Sequence, residues 1–330
     1  MTETNGVGGL GLRPSDLGTY GQGLKRPECV LATAAGDVVV SYWSADGGGV
    51  TRIRPGGGQR DIAASGAIGT NGFAITAAGD FLLANLHADG GGAWRLSQTG
   101  ELTPFLLEID GRRLPPANFV GVDRKNRVWI TVSTWLEPRA RAYRPDASDG
   151  FIVVVDDRGA RIAADGLGYT NEAVVDGSGD WLYVNETFGR RMSRFRIADD
   201  GSLGPRETVA EFGPGTYPDG LAFDEAGGVW LTSVISNRVI RIDADGSQQV
   251  VLEECDPEQL EVIEQAFQNG ALGRAHMDSI ETEVMKSVSS IAFGGPDRRT
   301  AYLGNLLDDK LYTFRSPVAG LKPSHWDIRL

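Results

Sequence analysis

Histidine, cysteine and methionine are scarce here, at three, two and four among 330 residues. Two cysteines, Cys29 and Cys255, cannot build a framework of bridges, and their spacing fits no metal motif. Cys29, on an apolar stretch, reads as a buried inert thiol, and nothing supports a bridge between the two. With no cluster of His and Cys, a zinc-type centre has no ligands to draw on. Basic charge is short as well: 32 Lys and Arg face 44 Asp and Glu, a net charge of −12. That balance argues against a nucleic-acid or anionic-membrane partner and reads as ordinary acidic solubility. No run of about 18 apolar residues is present to span a membrane. The opening MTETNGVGGLGLRPSD has neither the basic nor the apolar stretch of a secretory leader, so a cytoplasmic location is expected. No G-x-S-x-G elbow points to a serine esterase, and the GGG triplets lack the Lys and helix of a phosphate loop.

What the sequence has in plenty is glycine, 45 residues, the supply that a chain of many tight turns needs. The stretch Tyr217 to Ser233, YPDGLAFDEAGGVWLTS, shows the plan: a polar residue, a short apolar run, a Gly-containing turn and a second apolar run. That is strand, turn, strand. Asp219 leads this unit, and the pattern returns from Glu28 (ECVLATAAGDVVVS), Asn71 (NGFAITAAGDFLLA), Asn118 (NFVGVDRKNRVWIT), Asn171 (NEAVVDGSGDWLYV) and Ser289 (SSIAFGGPDRRTAYLG). The six lead residues lie 43, 47, 53, 48 and 70 positions apart, near the period of a four-stranded propeller blade. The fold expected is all-β: a six-bladed β-propeller of four-stranded antiparallel blades, one domain over 1–330. Residues 1–16 are expected to be loose. A strand from near the N-terminus should complete the last blade, because an open edge would invite pairing with other chains. The stretch 256–288 breaks the pattern. Asp256 caps, Pro257 opens and Gly270 ends a helix whose Leu260, Ile263 and Phe267 share one stripe. This helical insertion before the sixth blade either lids the tunnel mouth or packs on the rim.

In a four-stranded meander the start of the first strand and the loop between the second and third lie on the same side. The lead residues therefore share a mouth with WSADGGG (43–49), HADGGG (87–92) and the long STWLEPRARAYRPDAS (133–148). Taken singly, Pro218-Asp219-Gly220 and Thr70-Asn71-Gly72 read as turns. Converging on one axis, Glu28, Asn118, Asn171 and Asp219 bring together two carboxylates and two amide oxygens. That set suits a hard divalent cation, Ca²⁺ first, with Mg²⁺, Mn²⁺ or Zn²⁺ as alternatives. Without a cation the two carboxylates repel, which raises the pKa of one. Asn71 is a fifth inward group, for substrate or a metal-bound water, whereas Ser289 is too short to ligate. His87, in a loop on this face, is an alternative proton carrier to Asp219. Trp43, Trp135 and Phe188 either wall an apolar small-molecule substrate or simply pack. Glu186 either bonds groups behind the site or lies on the surface.

These phased repeats resemble the senescence marker protein, gluconolactonase and luciferin-regenerating enzyme family, together with its relative diisopropyl-fluorophosphatase. The likeness runs over roughly Leu24 to Pro317 and is strongest at ANFVGVDRKNRVWIT, YTNEAVV, YPDGLAFDEAGGVWLT and SIAFGGPDRRTAYLG. It implies a six-bladed propeller with a divalent metal held at positions matching Glu28, Asn118, Asn171 and Asp219. It also implies hydrolysis of lactones and, in some members, of phosphate esters. The metal would polarise the substrate carbonyl, and Asp219 would act as base toward water or as nucleophile. Family members often carry Arg two residues before the third-repeat Asn and an acidic residue after it, where this chain has Pro116 and Phe119. A less polar lactone or ester, bordered by Phe119, is expected as substrate. A condensing enzyme of the strictosidine-synthase kind, with no obligatory metal, or a non-catalytic binding propeller is also compatible with the sequence.

Overall fold

The structure, a computed structural model, describes residues 11–87 and 90–330. Six four-stranded antiparallel sheets form the blades of a β-propeller. The inner strands are Val30–Ala32, Thr70–Ile75, Ala117–Val122, Thr170–Val175, Tyr217–Phe223 and Val288–Gly294. Blade 6 is closed as the ring requires: Gly18–Tyr20 becomes its outer strand, with Gly18, Thr19 and Tyr20 opposite Thr313, Tyr312 and Leu311. Of the stretch expected to be loose, residues 1–10 lie outside the described residues. Residues 11–16 are held, Leu12 N–H donating to Val251 O at 2.9 Å ahead of a 3₁₀ turn at Pro14–Asp16. Among the described residues, no helix is long and apolar enough to cross a membrane.

The alternating strands bury apolar side chains between neighbouring blades, each fully buried large side chain worth roughly 1.5–3 kcal/mol. Trp129 and Trp230 are among the largest of them. Each indole N–H is met by an aspartate that also caps the preceding turn. Asp123 takes Trp129 Nε1 at 3.0 Å and the N–H of Lys125 and Arg127, while Asp224 takes Trp230 Nε1 at 2.8 Å and the N–H of Ala226 and Gly228. In blades 3 and 5 the Asp before the turn is thus a polar anchor inside the core.

In blades 2 to 6 the pairing register slips at the lead residue, between Thr70 and Phe73, Ala117 and Phe119, Thr170 and Ala173, Pro218 and Leu221, and Val288 and Ser290. A bulge of this kind re-aims a side chain that a regular strand would direct elsewhere. The glycine after Asp219 is consequently not a turn residue. Gly220 lies within a strand, where a Cβ would stand 2.6 Å from Ser289 O of the next blade. A belt of side-chain bonds to carbonyls ties the inner strands together: Asn71 to Asn118 O, Ser133 to Thr170 O, Thr187 to Pro218 O, Thr232 to Ser289 O and Ser289 to Glu28 O, all within 2.8–2.9 Å.

The insertion forms two helices, α1 (Pro257–Gln268) and α2 (Arg274–Asp278), and α1 is capped by Asp256 as its sequence predicts. Helix α1 packs Ile263 and Phe267 against the rim aromatics Tyr217 and Phe188. Its Glu264 is pinned by Arg190, Tyr217 Oη and Gly215 N–H. Helix α2 contributes Arg274 and Met277 to the wall of the large cavity at the same mouth. The insertion is both rim and wall.

Candidate active site

Five of the six lead residues, Glu28, Asn71, Asn118, Asn171 and Asp219, line one cavity of about 1010 Å³. The sixth, Ser289, turns aside and donates its hydroxyl to Glu28 O.

Proton counting fixes which end of each asparagine faces the axis. A hydroxyl has one hydrogen to give. Ser133 spends it on Thr170 O at 2.9 Å and Thr187 on Pro218 O at 2.8 Å. Both hydroxyls can then only accept from their asparagines, so the groups that meet them are the amide nitrogens: Asn118 Nδ2 to Ser133 Oγ at 3.1 Å and Asn171 Nδ2 to Thr187 Oγ1 at 2.9 Å. The amide oxygens are left for the axis, that of Asn118 also accepting from Asn71 Nδ2 at 3.3 Å. Asn71 is oriented in the same way, because its Nδ2 donates to the carbonyl of Asn118 at 2.9 Å and its Oδ1 is buried with no hydrogen-bond partner.

Glu28 and Asp219 are 8% and 6% exposed. Arg26 Nη1 stands 2.7 Å from Glu28 Oε2, an ion pair that is not aligned as a hydrogen bond, so that oxygen also has an unused lone pair. Burial, then the charges of Glu28 and Glu172, push the Asp219 carboxyl well above the usual range, with Arg26 and Arg139 opposing. Among the described residues no group of three or more His, Cys, Asp and Glu is placed to hold a metal ion. The donor set available is therefore two carboxylates with amide oxygens, with orphaned oxygens at Glu28 and Asn71. Such a set fits a hard divalent cation and does not resemble a thiolate or imidazole site.

Trp43 and His87 form one wall, edge to face with centroids 5.4 Å apart, and the Arg26 guanidinium lies over the other side of the indole region, 4.7 Å from the ring centroid. Phe188 lines the opposite wall within a cluster of Tyr143 and Tyr169, at 4.6 and 4.7 Å between centroids. Two expected wall residues are elsewhere. Asp149 accepts Thr134 Oγ1 at 2.6 Å and Trp135 N–H at 2.9 Å, which folds the loop outward. The indole then stacks on Phe151 at 4.4 Å under the Arg112 guanidinium. Phe119, next to Asn118, points to the far end of the tunnel and packs against the inner strand of blade 2, with Gly72 leaving room for its ring. Glu186 belongs to neither the wall nor the surface. It is fully buried, held by Arg191, Ser193 and the Gly168 N–H, behind the mouth of blade 4.

Sequence reasoning missed Arg26, Arg139, Tyr169 and the buried Glu172. Arg139 reaches the cavity from the long loop of blade 3, its Nε donating to Tyr169 Oη at 2.7 Å. Arg26 sits at φ 52°, a left-handed turn just before Glu28 that no local motif announces.

Residues 26–254 match the SMP-30/Gluconolactonase/LRE-like region. The chain belongs to that family. Within it, the chain is 28% identical over 185 residues to the 6-deoxy-6-sulfogluconolactonase of Pseudomonas putida, covering 55% of this chain and 51% of that protein. It is 29% identical over 189 residues to the pentonolactonase XacC of Haloferax volcanii, covering 56% and 52%. The aligned part thus spans about half the length of these relatives. The fold matches that of a calcium-binding protein, regucalcin, from Agrobacterium tumefaciens, with a TM-score of 0.63 at 17% identity over 94% of both chains. This member of the SMP-30/gluconolactonase family therefore shares its architecture with proteins whose names describe lactone hydrolysis and calcium binding.

Proposed function

We propose that this SMP-30/gluconolactonase-type propeller is a lactonase that works with a divalent cation held by Glu28, Asn118, Asn171 and Asp219. The observation that carries the reading is the forced orientation of the asparagines, which presents oxygens and no N–H groups beside two buried carboxylates. Calcium suits these donors best, and the calcium-binding description of the regucalcin neighbour supports that choice. When bound, the cation supplies Lewis acidity toward the lactone carbonyl.

The chain's own groups do the rest. Asp219 is the general base, a carboxylate buried at the axis beside Glu28 and facing the cavity that the attacking water enters. Asn71 Oδ1, buried and without a partner, accepts from that water or from a substrate hydroxyl. Trp43 and Phe188 flank the ring of the substrate, and His87 fixes the Trp43 indole edge on. The apolar substrate expected from Phe119, Trp43, Trp135 and Phe188 keeps only part of its basis, since Phe119 and Trp135 do not reach this cavity, while Trp43 and Phe188 line it beside Arg26, Arg139 and Arg274. A polar lactone fits the wall better, in keeping with the sugar-acid lactones in the names of both relatives.

The test is proton release from a panel of sugar and alkyl lactones by protein loaded with Ca²⁺, Mn²⁺, Mg²⁺ or Zn²⁺, with and without chelator, beside titration calorimetry of the metals. Loss of hydrolysis on chelation and in Asp219→Ala is expected. Full activity in Asp219→Ala would sink the reading.

A further inference from the structure

The charges around the cavity do not balance once a divalent cation is counted. Three carboxylates line it, Glu28, Asp46 and Asp219, and so do three guanidiniums, Arg26, Arg139 and Arg274. A cation of charge +2 leaves the wall net positive. Two of the guanidiniums have carboxylate partners, Arg26 with Glu28 and Arg274 with Asp278 at 2.7 Å each. Arg139 has none within 4 Å among the described residues. Its Nε is spent on Tyr169 Oη at 2.7 Å and one Nη reaches Ser133 Oγ only at 3.5 Å, so most of its donor fork faces the cavity unused. A guanidinium presents five N–H donors in a plane that matches carboxylate, sulfonate or phosphate oxygens. Tyr169 and the rim aromatics hold it in place, and the tyrosine hydroxyl accepts from it without neutralising it. At about 1010 Å³ the space is at the upper end for a small-molecule pocket and exceeds what a bare lactone ring fills.

We propose that the lactone taken by this cavity carries a second, anionic group, a carboxylate, sulfonate or phosphate, and that Arg139 is the residue that selects for it, with Arg26 and Arg274 completing the positive wall. The inference rests on the lactonase reading and adds the substrate class to it. The lactone carbonyl lies at the axis with the lead residues, and the anionic arm turns toward the loop of blade 3.

The experiment compares kcat/KM of calcium- or manganese-loaded protein for glucono-lactone with that for its 6-carboxylate, 6-sulfonate and 6-phosphate counterparts. At least one anionic lactone should exceed the neutral one by about 30-fold or more, the scale of a desolvated charge pair. In Arg139→Gln that ratio should collapse toward one, mainly through KM, and Arg139→Lys should restore part of it. The three anionic arms tell the sources apart. Calorimetry gives a second readout on the same proteins: the open-chain acid of the preferred arm should bind wild type at least tenfold tighter than gluconate, and lose that advantage in Arg139→Gln. A wild-type ratio at or below one, or one untouched by Arg139→Gln, overturns the inference while leaving the lactonase reading in place. If no lactone of either charge is cleaved, the lactonase reading fails instead. The calorimetric comparison then decides the anion preference by itself.

Discussion

The two mouths of the tunnel are built from the same six strands and end up chemically opposed. The mouth described above is wide, with carboxylates and guanidiniums left facing an open cavity of about 1010 Å³. The far mouth holds about 230 Å³ among the side chains of Phe73, Phe119, Leu221 and Phe293. Residues 319–328 cross it as a strap, bonded to four blades: Ala34 N–H to Trp326 O, Leu321 N–H to Phe223 O, Gly320 N–H to Arg298 O, and Arg124 to Lys322 O. The carboxyl group there, Glu172, is pushed up to about 8, chiefly by burial, and so stays protonated at neutral pH. One mouth keeps its charges for a ligand. The other has its inward carboxyl protonated and is crossed by the strap.

The sharpest way to break that contrast is to remove a charge from the open side. Asp219→Asn should lower lactone hydrolysis by a factor of about 10³ or more, since both a cation ligand and the base are lost. The same change should raise the melting temperature in chelator by a few degrees, because a desolvated carboxylate beside Glu28 is replaced by a neutral isostere. Activity falling while stability rises marks a residue kept for function. A fall in both would place Asp219 among the structural groups.

On the sealed side the expected effect is reversed. Phe119→Ala should cost about 3–5 kcal/mol of stability by leaving a cavity beneath blade 2, yet change kcat by less than about threefold, because the ring does not reach the substrate cavity. Denaturant titration beside kinetics separates the two. The strap responds to acid. Burial lowers the His325 pKa from 6.5 to about 4, the bond to Ala32 opposing, and its Nε2 has no hydrogen-bond partner. The folded state favours the neutral ring, so this contribution is complete above about pH 6.5, the unfolded value, and is lost as pH falls toward 4, up to on the order of 3 kcal/mol. The opening equilibrium read from amide hydrogen exchange at 319–328, after division by the intrinsic rate, should rise as pH falls from 7 to 5 in wild type, and His325→Gln should flatten that dependence. An exchange rate that tracks only intrinsic chemistry would remove His325 as the clasp.

How much of this was legible follows from which forces are local. The repeats, the strand alternation and the closing strand of blade 6 could be read because each unit carries its own pattern of apolar residues and turn glycines. The lead residues could be read as a set for the same reason. The bulges at Asn71, Asn118, Asn171 and Asp219 left no mark, since a register slip is set by the partner strand. The belt hydroxyls of Ser133 and Thr187 directly follow their second strands, in VSTW and ETF, and that was the signal available, whereas Thr232 lies inside its strand. Trp135 and Phe119 went the other way from expectation because direction depends on distant residues, Asp149 for one and the neighbouring blade's Gly72 for the other. Arg139 lay inside a run of arginines, and only the folded loop singles it out from Arg141 and Arg144, which are exposed.

The smallest expected effect concerns Arg26, where the open mouth's two tasks compete. Its guanidinium stands 2.7 Å from Glu28, the first carboxylate of the proposed cation set, and lies against Trp43. It stabilises Glu28 when no cation is present, and it repels a cation that arrives. Side chains this close interact by several kcal/mol at most in a partly solvated site, and much of that is offset when the arginine swings toward solvent or substrate. Arg26→Gln should therefore tighten Ca²⁺ or Mn²⁺ binding by only about three- to tenfold in calorimetry, with a smaller dependence on ionic strength. It should at the same time weaken discrimination in favour of anionic lactones. The far mouth offers a control of matching chemistry: Arg124, which bonds only the carbonyls of Gly177 and Lys322, should give no change in metal affinity when replaced by Gln. If Arg26→Gln weakens metal binding instead, the guanidinium orients Glu28 for the cation and does not compete with it, and the positive wall would have to be counted from Arg139 and Arg274 alone.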